Sequence, residues 1–176
     1  GYPNTSFFGI VDTAGFAKDT YYLYRSMWNE HSTTLHLVPG TWKSSDLTLS
    51  NGYANVAVYS NADYIELLCN GSVIATAEST THITNNGHKY QTWVETATNS
   101  SYATTTEFYT GTGKDLYPQF NVKQSDSDVI SVKAYDANNN EITNTVGTDE
   151  ISAVAATKIV PTTWAEMEAA AKDIYS

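Results

Sequence analysis

The stretch Tyr64-Ile-Glu-Leu-Leu-Cys-Asn-Gly-Ser-Val-Ile-Ala-Thr-Ala77 decides the fold. Two apolar-rich runs, Tyr64–Cys69 and Ser72–Ala77, flank Asn70-Gly71. A two-residue type I′ turn needs positive φ at both central residues, and Asn-Gly is the pair that accepts this most cheaply. The stretch predicts an antiparallel hairpin. Outward from it, short β-prone runs recur every ten or so residues with turn residues between them. Upstream lie Asn55–Tyr59 and Thr34–Val38, the latter closed by Pro39-Gly40. Downstream lie Lys89–Glu95, Thr104–Tyr109, Phe120–Val122, Val129–Tyr135 and, after a turn at Asp136–Asn140, Glu141–Val146. Strands this short and this evenly spaced predict one two-sheet antiparallel sandwich over residues 32–150. Within Thr34–Val38, Leu35 and Leu37 share one face and His36 takes the other.

The two ends read differently. From Lys18 to Glu30 the spacing is helical, with Tyr21, Tyr24 and Trp28 at i, i+3, i+7 and Leu23 and Met27 beside them. Asp19 falls in the first turn, where a negative charge suits the helix dipole. The helix is apolar around more than half its circumference, so it asks for cover on more than one side, and the three aromatics are expected in a core. At the other end, Ser152–Ile159 is Ala-rich and Pro161 ends it. Thr163-Trp-Ala-Glu166 then makes a capping-box pattern before a short helix, Ala165–Ile174. Residues 151–176 are expected to be a linker or the start of a further module.

Composition narrows the function. Of 176 residues, 25 are Thr, 16 Ser and 14 Asn, while charged residues are only 16%. Small uncharged polar groups must therefore make the surface. The net charge of −10 gives no electrostatic footprint for nucleic acid or anionic lipid. No apolar run nears the roughly 20 residues that a membrane span needs. The single cysteine, Cys69, excludes an internal disulfide framework and a cysteine-rich zinc site, and a buried, reduced thiol is expected. The chain begins Gly1-Tyr2-Pro3 and reads as an excised piece. Low Lys with high Thr, Asn and Tyr suits a bacterial extracellular or cell-surface protein.

The segment Phe8-Gly-Ile-Val-Asp-Thr-Ala-Gly-Phe-Ala-Lys-Asp-Thr-Tyr-Tyr-Leu-Tyr-Arg-Ser-Met-Trp28 resembles part of glycoside hydrolase family two, the β-galactosidase-like enzymes. The resemblance resumes at Val58-Tyr-Ser-Asn-Ala-Asp-Tyr-Ile-Glu-Leu-Leu-Cys-Asn-Gly71, and again at Val129-Ile-Ser-Val-Lys-Ala-Tyr-Asp136 through Glu150. It implies that residues 1–31 close a catalytic (β/α)8 barrel with its last loop and helix. It further implies that residues 32–150 form the immunoglobulin-like sandwich after that barrel, with 151–176 leading onward. The expected fold is thus mainly β, an immunoglobulin-like antiparallel sandwich preceded by one α-helix and followed by a short helical tail. Ala17 departs from the family's usual Pro, Gly40 stands near a usual His while Trp42 remains, and the stretch 78–115 is longer than the family's connection.

Glycoside cleavage normally needs two carboxylates flanking the scissile bond. The family's two catalytic glutamates lie in barrel motifs that this chain lacks, so no catalytic residue is assigned. The expected function is the non-catalytic C-terminal part of a retaining glycosidase acting on terminal β-linked sugars, with the rest of that enzyme as partner. Asn29-Glu30 superficially matches the family's acid/base pair but lacks its context; a solvated helix terminus is the simpler reading. Glu66, Glu95 and Glu107 read as solvent-facing strand positions.

His31, His36, His82 and His88 have no metal-site spacing and read as surface or loop residues. Asp136-Ala-Asn-Asn-Asn140 partly mimics a calcium loop, and Asp126-Ser-Asp128 does so more faintly. Glu141 stands where that loop needs glycine, so a hairpin turn explains the first better. No metal and no cofactor are expected. The sequons at Asn4, Asn70 and Asn99 are incidental in a bacterial protein.

Two residues are candidate sugar contacts. Asn4 would lie in the loop after the last barrel strand, on the face where barrel active sites sit. Trp42 is the aromatic that the resemblance retains in the loop after the Leu35–Val38 strand. An alternative function, a carbohydrate-binding or adhesive sandwich, is motivated by Trp42, Tyr90, Trp93, Tyr102 and Tyr109, since aromatic faces stack on sugar rings. Ordinary core and surface positions account for the same five residues.

Overall fold

The computed structural model describes residues 19–38, 53–105, 116–123, 125, 127–151 and 164–174. Helix α1 (Asp19–Trp28) leads into strands β1 (Thr33–Val38), β2 (Tyr53–Ser60), β3 (Tyr64–Cys69), β4 (Ser72–Ile83), β5 (Lys89–Ala97) and β6 (Ala103–Thr105). Then come β7 (Gln119–Lys123), β8 (Ile130–Tyr135), β9 (Glu141–Ile142), β10 (Thr145–Val146), β11 (Glu150–Ile151) and helix α2 (Trp164–Ile174). One sheet has the order β10-β1-β2-β7-β6; the other runs β11-β8-β3-β4-β5, with β9 on β8. The chain is a mainly β sandwich of two sheets.

Asn70 and Gly71 have φ of 50° and 82°, so both central residues of the decisive turn are left-handed and Cys69 pairs directly with Ser72. Asn70 also ties the turn to the β8 strand: its amide donates to Asp128 Oδ1 at 2.9 Å and its Oδ1 accepts from Val129 N–H. Asp128 therefore serves as a hairpin brace. These acceptor contacts, from Ser125 N–H foremost, hold its carboxyl below the usual carboxylate range. The faint calcium reading at 126–128 is replaced by this brace for Asp128; Asp126 lies outside the described residues. Asp136–Asn140 is a turn between β8 and β9, with Asp136 Oδ1 accepting the N–H groups of Asn138 and Asn140.

Strand β4 runs six residues beyond the expected Ala77, to Ile83, and with β5 makes the long hairpin of the second sheet. Its pairing with β3 shifts register between Leu67 and Leu68 of that strand, a bulge at Ile74 that leaves both Ile74 and Ala75 buried. The core between the sheets is built from Leu35, Leu37, Val56, Ile65, Leu67 and Phe120, with Trp93, Ile130 and Ile151. Glu141–Val146 is not one strand. It splits into β9 and β10, and β10 pairs with β1 in parallel, an exception to the all-antiparallel expectation.

Cys69 is buried, with only 5% of its surface exposed, and burial raises the thiol above its ordinary value. A raised value leaves little thiolate, the reactive form. In the native protein, a thiol reagent at neutral pH should label Cys69 no faster than unfolding exposes it; rapid stoichiometric labelling would contradict this placement.

Candidate functional site

The site is the junction where the two helices meet the first sheet. Helix α1 lies on β1, which is consequently covered on both faces. Leu35 and Leu37 point into the sandwich while Thr34 and His36 meet the helix. All four are buried. His36 is thus a correction to the surface or loop reading: at 3% exposure it stacks on Tyr22, ring centroids 3.9 Å apart. Its Nδ1 accepts the Thr148 backbone N–H at 3.0 Å, which places the ring proton on Nε2, and Nε2 donates to Asp19 Oδ1 at 2.7 Å. One imidazole so joins the start of α1, the middle of β1 and the turn after β10.

The buried stripe of α1 also differs from the expected one. Tyr21 and Arg25 are buried, one turn apart, whereas Trp28 is 48% exposed and Tyr24 is half-buried. Tyr24 and Trp28 stack on each other on the outer side at 4.8 Å. Arg25 displaces the aromatics from the inner stripe because each of its three guanidinium nitrogens has an acceptor. Its Nε and Nη2 donate to the two carboxylate oxygens of Asp173 in a bidentate pair. Nη1 donates to Thr34 Oγ1 at 2.6 Å, and Nη2 also donates to Ser32 Oγ. Tyr21 OH donates to Asp173 as well, and burial followed by that carboxylate pushes its hydroxyl well above the usual tyrosine range.

Asn29, read as part of a solvated helix terminus, is buried and structural. Its amide donates to the Asp173 backbone carbonyl, and its Oδ1 accepts from His31 and Ser32 N–H groups. Glu30 beside it is exposed, as expected. The last turn of α2 is thereby docked on α1, with Ile174 fully buried. No sequence signal marked Arg25 or Asp173 as partners, because they stand 148 residues apart.

Beside this node a cleft of about 200 Å³ opens between the end of α1, the turn at Asn61–Asp63 and the β4–β5 hairpin. Glu30, Asp63, Lys89, Tyr90 and Gln91 line it, with Asn61 at its back. The back wall is fixed: Asn61 Nδ2 donates to the Asn29 and Ser32 carbonyls, and Gln91 Nε2 donates to the Asn61 and Ala62 carbonyls.

The remaining candidates are dispersed. Asn4, Trp42, Glu107 and Tyr109 lie outside the described residues. Trp93 is a core residue at 3% exposure, not a surface platform, while Tyr90 and Tyr102 are exposed. Tyr90 stacks on His82, which also bonds Thr92 Oγ1, and His31 and His88 are exposed. Glu66 and Glu95 do not simply face solvent. Glu66 accepts from Tyr135 OH on the neighbouring strand β8, and Glu95 on β5 accepts from Gln119 N–H on β7, a tie between the two sheets. Among the described residues no group of three or more His, Cys, Asp or Glu is placed to hold a metal, and no helix is long and apolar enough to cross a membrane.

Part of the chain is 44% identical to a β-galactosidase of Bacteroides ovatus over 72 residues, 40% of this chain and 8% of that protein. A putative β-glucuronidase of Formosa agariphila is 41% identical over 63 residues, 36% of this chain and 6% of that protein. The chain thus matches less than a tenth of the length of these curated relatives. No family model matches the sequence. The chain is related to glycoside hydrolases.

Proposed function

We propose that this chain is a non-catalytic supporting module of a larger, retaining, β-galactosidase-like enzyme of family two, acting on terminal β-linked sugars outside the cell. Helix α1 joins the sandwich to the upstream catalytic barrel. The observation that supports this most is the two-sided use of α1. Its inner stripe, Tyr21 and Arg25, is pinned to β1 and α2, while the stacked Tyr24–Trp28 pair sits on its outer side with Trp28 half exposed. Pinning one side fixes how the other is presented, which a docking helix between two rigid bodies requires. The short matches to much longer glycosidases agree with such a role.

The chemistry points the same way. Most of the rate of glycoside cleavage comes from a positioned acid and a positioned nucleophile, whereas Asp173, Asp128 and Glu66 are engaged in bracing the helix junction, a hairpin and a strand pair. The test is hydrolysis of nitrophenyl β-galactoside and nitrophenyl β-glucuronide. The 176-residue chain should show no turnover above buffer, and the longer chain carrying its upstream sequence should hydrolyse one of them. Turnover by the 176-residue chain, or none by the longer one, would defeat the reading.

A further inference from the structure

We propose that Asn86, at the tip of the β4–β5 hairpin, is a site of spontaneous covalent modification in the native protein, deamidating to aspartate and isoaspartate, and that the fold withholds Asn70 from the same reaction.

The chain carries three Asn-Gly pairs, at 51–52, 70–71 and 86–87, of which the first lies outside the described residues. An asparagine before glycine is open to attack by its own chain, because no Cβ crowds the next backbone nitrogen. That nitrogen gives its proton to solvent base and attacks the asparagine Cγ. A Cγ–N bond forms, the Cγ–Nδ2 bond breaks, and ammonia leaves with a proton from water. Water then opens the cyclic imide at either carbonyl, giving aspartate or isoaspartate. The net change is amide plus water to carboxylate plus ammonium. The carboxamide must turn back onto its own chain for this, so anything that holds it elsewhere slows the reaction.

Exposure does not separate the two described pairs. Asn70, Gly71, Asn86 and Gly87 are all exposed, and nothing stands within 4 Å of a Cβ built on either glycine. Hydrogen bonding does separate them. Asn70 is tied to the start of β8 three times: its N–H donates to the Val129 carbonyl, its Nδ2 donates to Asp128 Oδ1, and its Oδ1 accepts from Val129 N–H. Both ends of its carboxamide must be released before Cγ can be reached. The Asn86 carboxamide has no hydrogen bond among the described residues. Its loop is closed through Thr84 instead. Thr84 N–H donates to the His88 carbonyl, Thr84 Oγ1 accepts from His88 N–H at 3.1 Å, and the Thr84 carbonyl accepts from Gly87 N–H at 2.9 Å. Only that last bond, at an exposed tip, has to open to free the attacking nitrogen.

The products differ as well. At Asn86 the new carboxylate faces solvent, takes the net charge from −10 to −11 and breaks no side-chain bond. At Asn70 it would replace a donor with an acceptor 2.9 Å from Asp128 Oδ1. Asp128 is held ionised by its own donors, so two like charges would face each other and the hairpin brace would open.

The experiment is incubation of the native 176-residue chain at mildly alkaline pH, with peptide mapping by mass spectrometry and isoaspartate detection with an isoaspartyl methyltransferase. Asn86 should convert at least about tenfold faster than Asn70, the factor that two side-chain hydrogen bonds are worth. In guanidinium chloride, where the brace is gone, the two rates should converge. Asp128→Ala should speed conversion at Asn70 about fivefold and leave Asn86 unchanged. Gly87→Ala should all but stop conversion at Asn86 and leave Asn70 unchanged. Four results would each overturn the proposal: native conversion at Asn70 as fast as at Asn86, no native conversion at Asn86 over the time in which the unfolded chain converts, a difference that persists in guanidinium chloride, or an Asn70 rate indifferent to Asp128→Ala.

Discussion

Asp173→Ala should cost the protein about 2–3 kcal/mol, near the lower end of what breaking a buried ion pair costs. Arg25 is 1% exposed and would be left facing only the hydroxyls of Ser32 and Thr34. The cost stays at the lower end because the Asp173 side chain is 34% exposed, so part of the pair is already solvated. Relief comes by release of α2, which lets water reach the guanidinium. Amide exchange should therefore rise in both α1 and α2, although only α2 carries the substitution. Lys172→Ala is the control. Its pair with Glu168 is solvent-exposed on both sides, and such pairs contribute about 0.5 kcal/mol or less. Equal midpoints for the two variants in urea would refute the node.

The same residue sets a pH dependence. Burial raises the Asp173 carboxyl, but the Arg25 pair and the Tyr21 and Asn29 donors outweigh burial and hold it below the usual carboxylate range. A depressed folded value means that the carboxylate's contribution is present above the unfolded pKa, near 4, and is lost as pH falls through the lower folded value. The stability gap between the native protein and Asp173→Ala should hold from neutral pH to about pH 5 and close in stronger acid. A gap that persists unchanged into strong acid would show that the carboxylate does not act through its charge.

Gly147→Ala should cost about 3 kcal/mol, or roughly 10 °C in Tm for a chain of this size. Gly147 has φ of +135°, and a Cβ there would stand 2.2 Å from the Leu35 carbonyl oxygen and 2.9 Å from His36 Cβ. The obstacle is backbone, which cannot swing aside. To clear it, the turn after β10 must lift from β1. That breaks the Thr148 N–H to His36 bond and the Leu37 N–H to Thr148 carbonyl bond at 2.8 Å. Gly87 separates the two effects, since it too has positive φ, +83°, but nothing stands within 4 Å of an added Cβ. Gly87→Ala should cost only the backbone strain, about 1 kcal/mol. If Gly147→Ala is no worse than Gly87→Ala, the close approach is not real.

The sandwich was legible because its information is local. Asn70-Gly71 carries its own turn geometry, and the alternation through Ile65, Leu67 and Ala77 marks core side chains, while the bulge that buries Ile74 beside Ala75 has no local signal. Cys69 inside a strand of Leu67 and Leu68 is buried for the same reason. The turn at Asp136–Asn140 was also local, since the Asp136 carboxylate folds onto N–H groups within four residues of itself. The relation to glycoside hydrolases was legible in contiguous motifs.

What the sequence by itself could not determine were the inner stripe of α1, the burial of His36, and the docking of α2. Helical periodicity ranks residues by apolarity, so it put Tyr24 and Trp28 inside and left Arg25 out. Tertiary structure reversed that order because a charge can be buried when it is paired and hydrogen-bonded, and the acceptors for the three Arg25 nitrogens come from Ser32, Thr34 and a helix 148 residues away. His36 alternates to the polar side of β1 as expected, and only the packing of α1 made that side an interior. The β1–β10 parallel pair and the cleft beside Gln91 likewise depend on which segments become neighbours in space. Local sequence sets turns and strand faces through steric limits on φ and ψ; what covers each face is set by contacts between segments that share no local pattern.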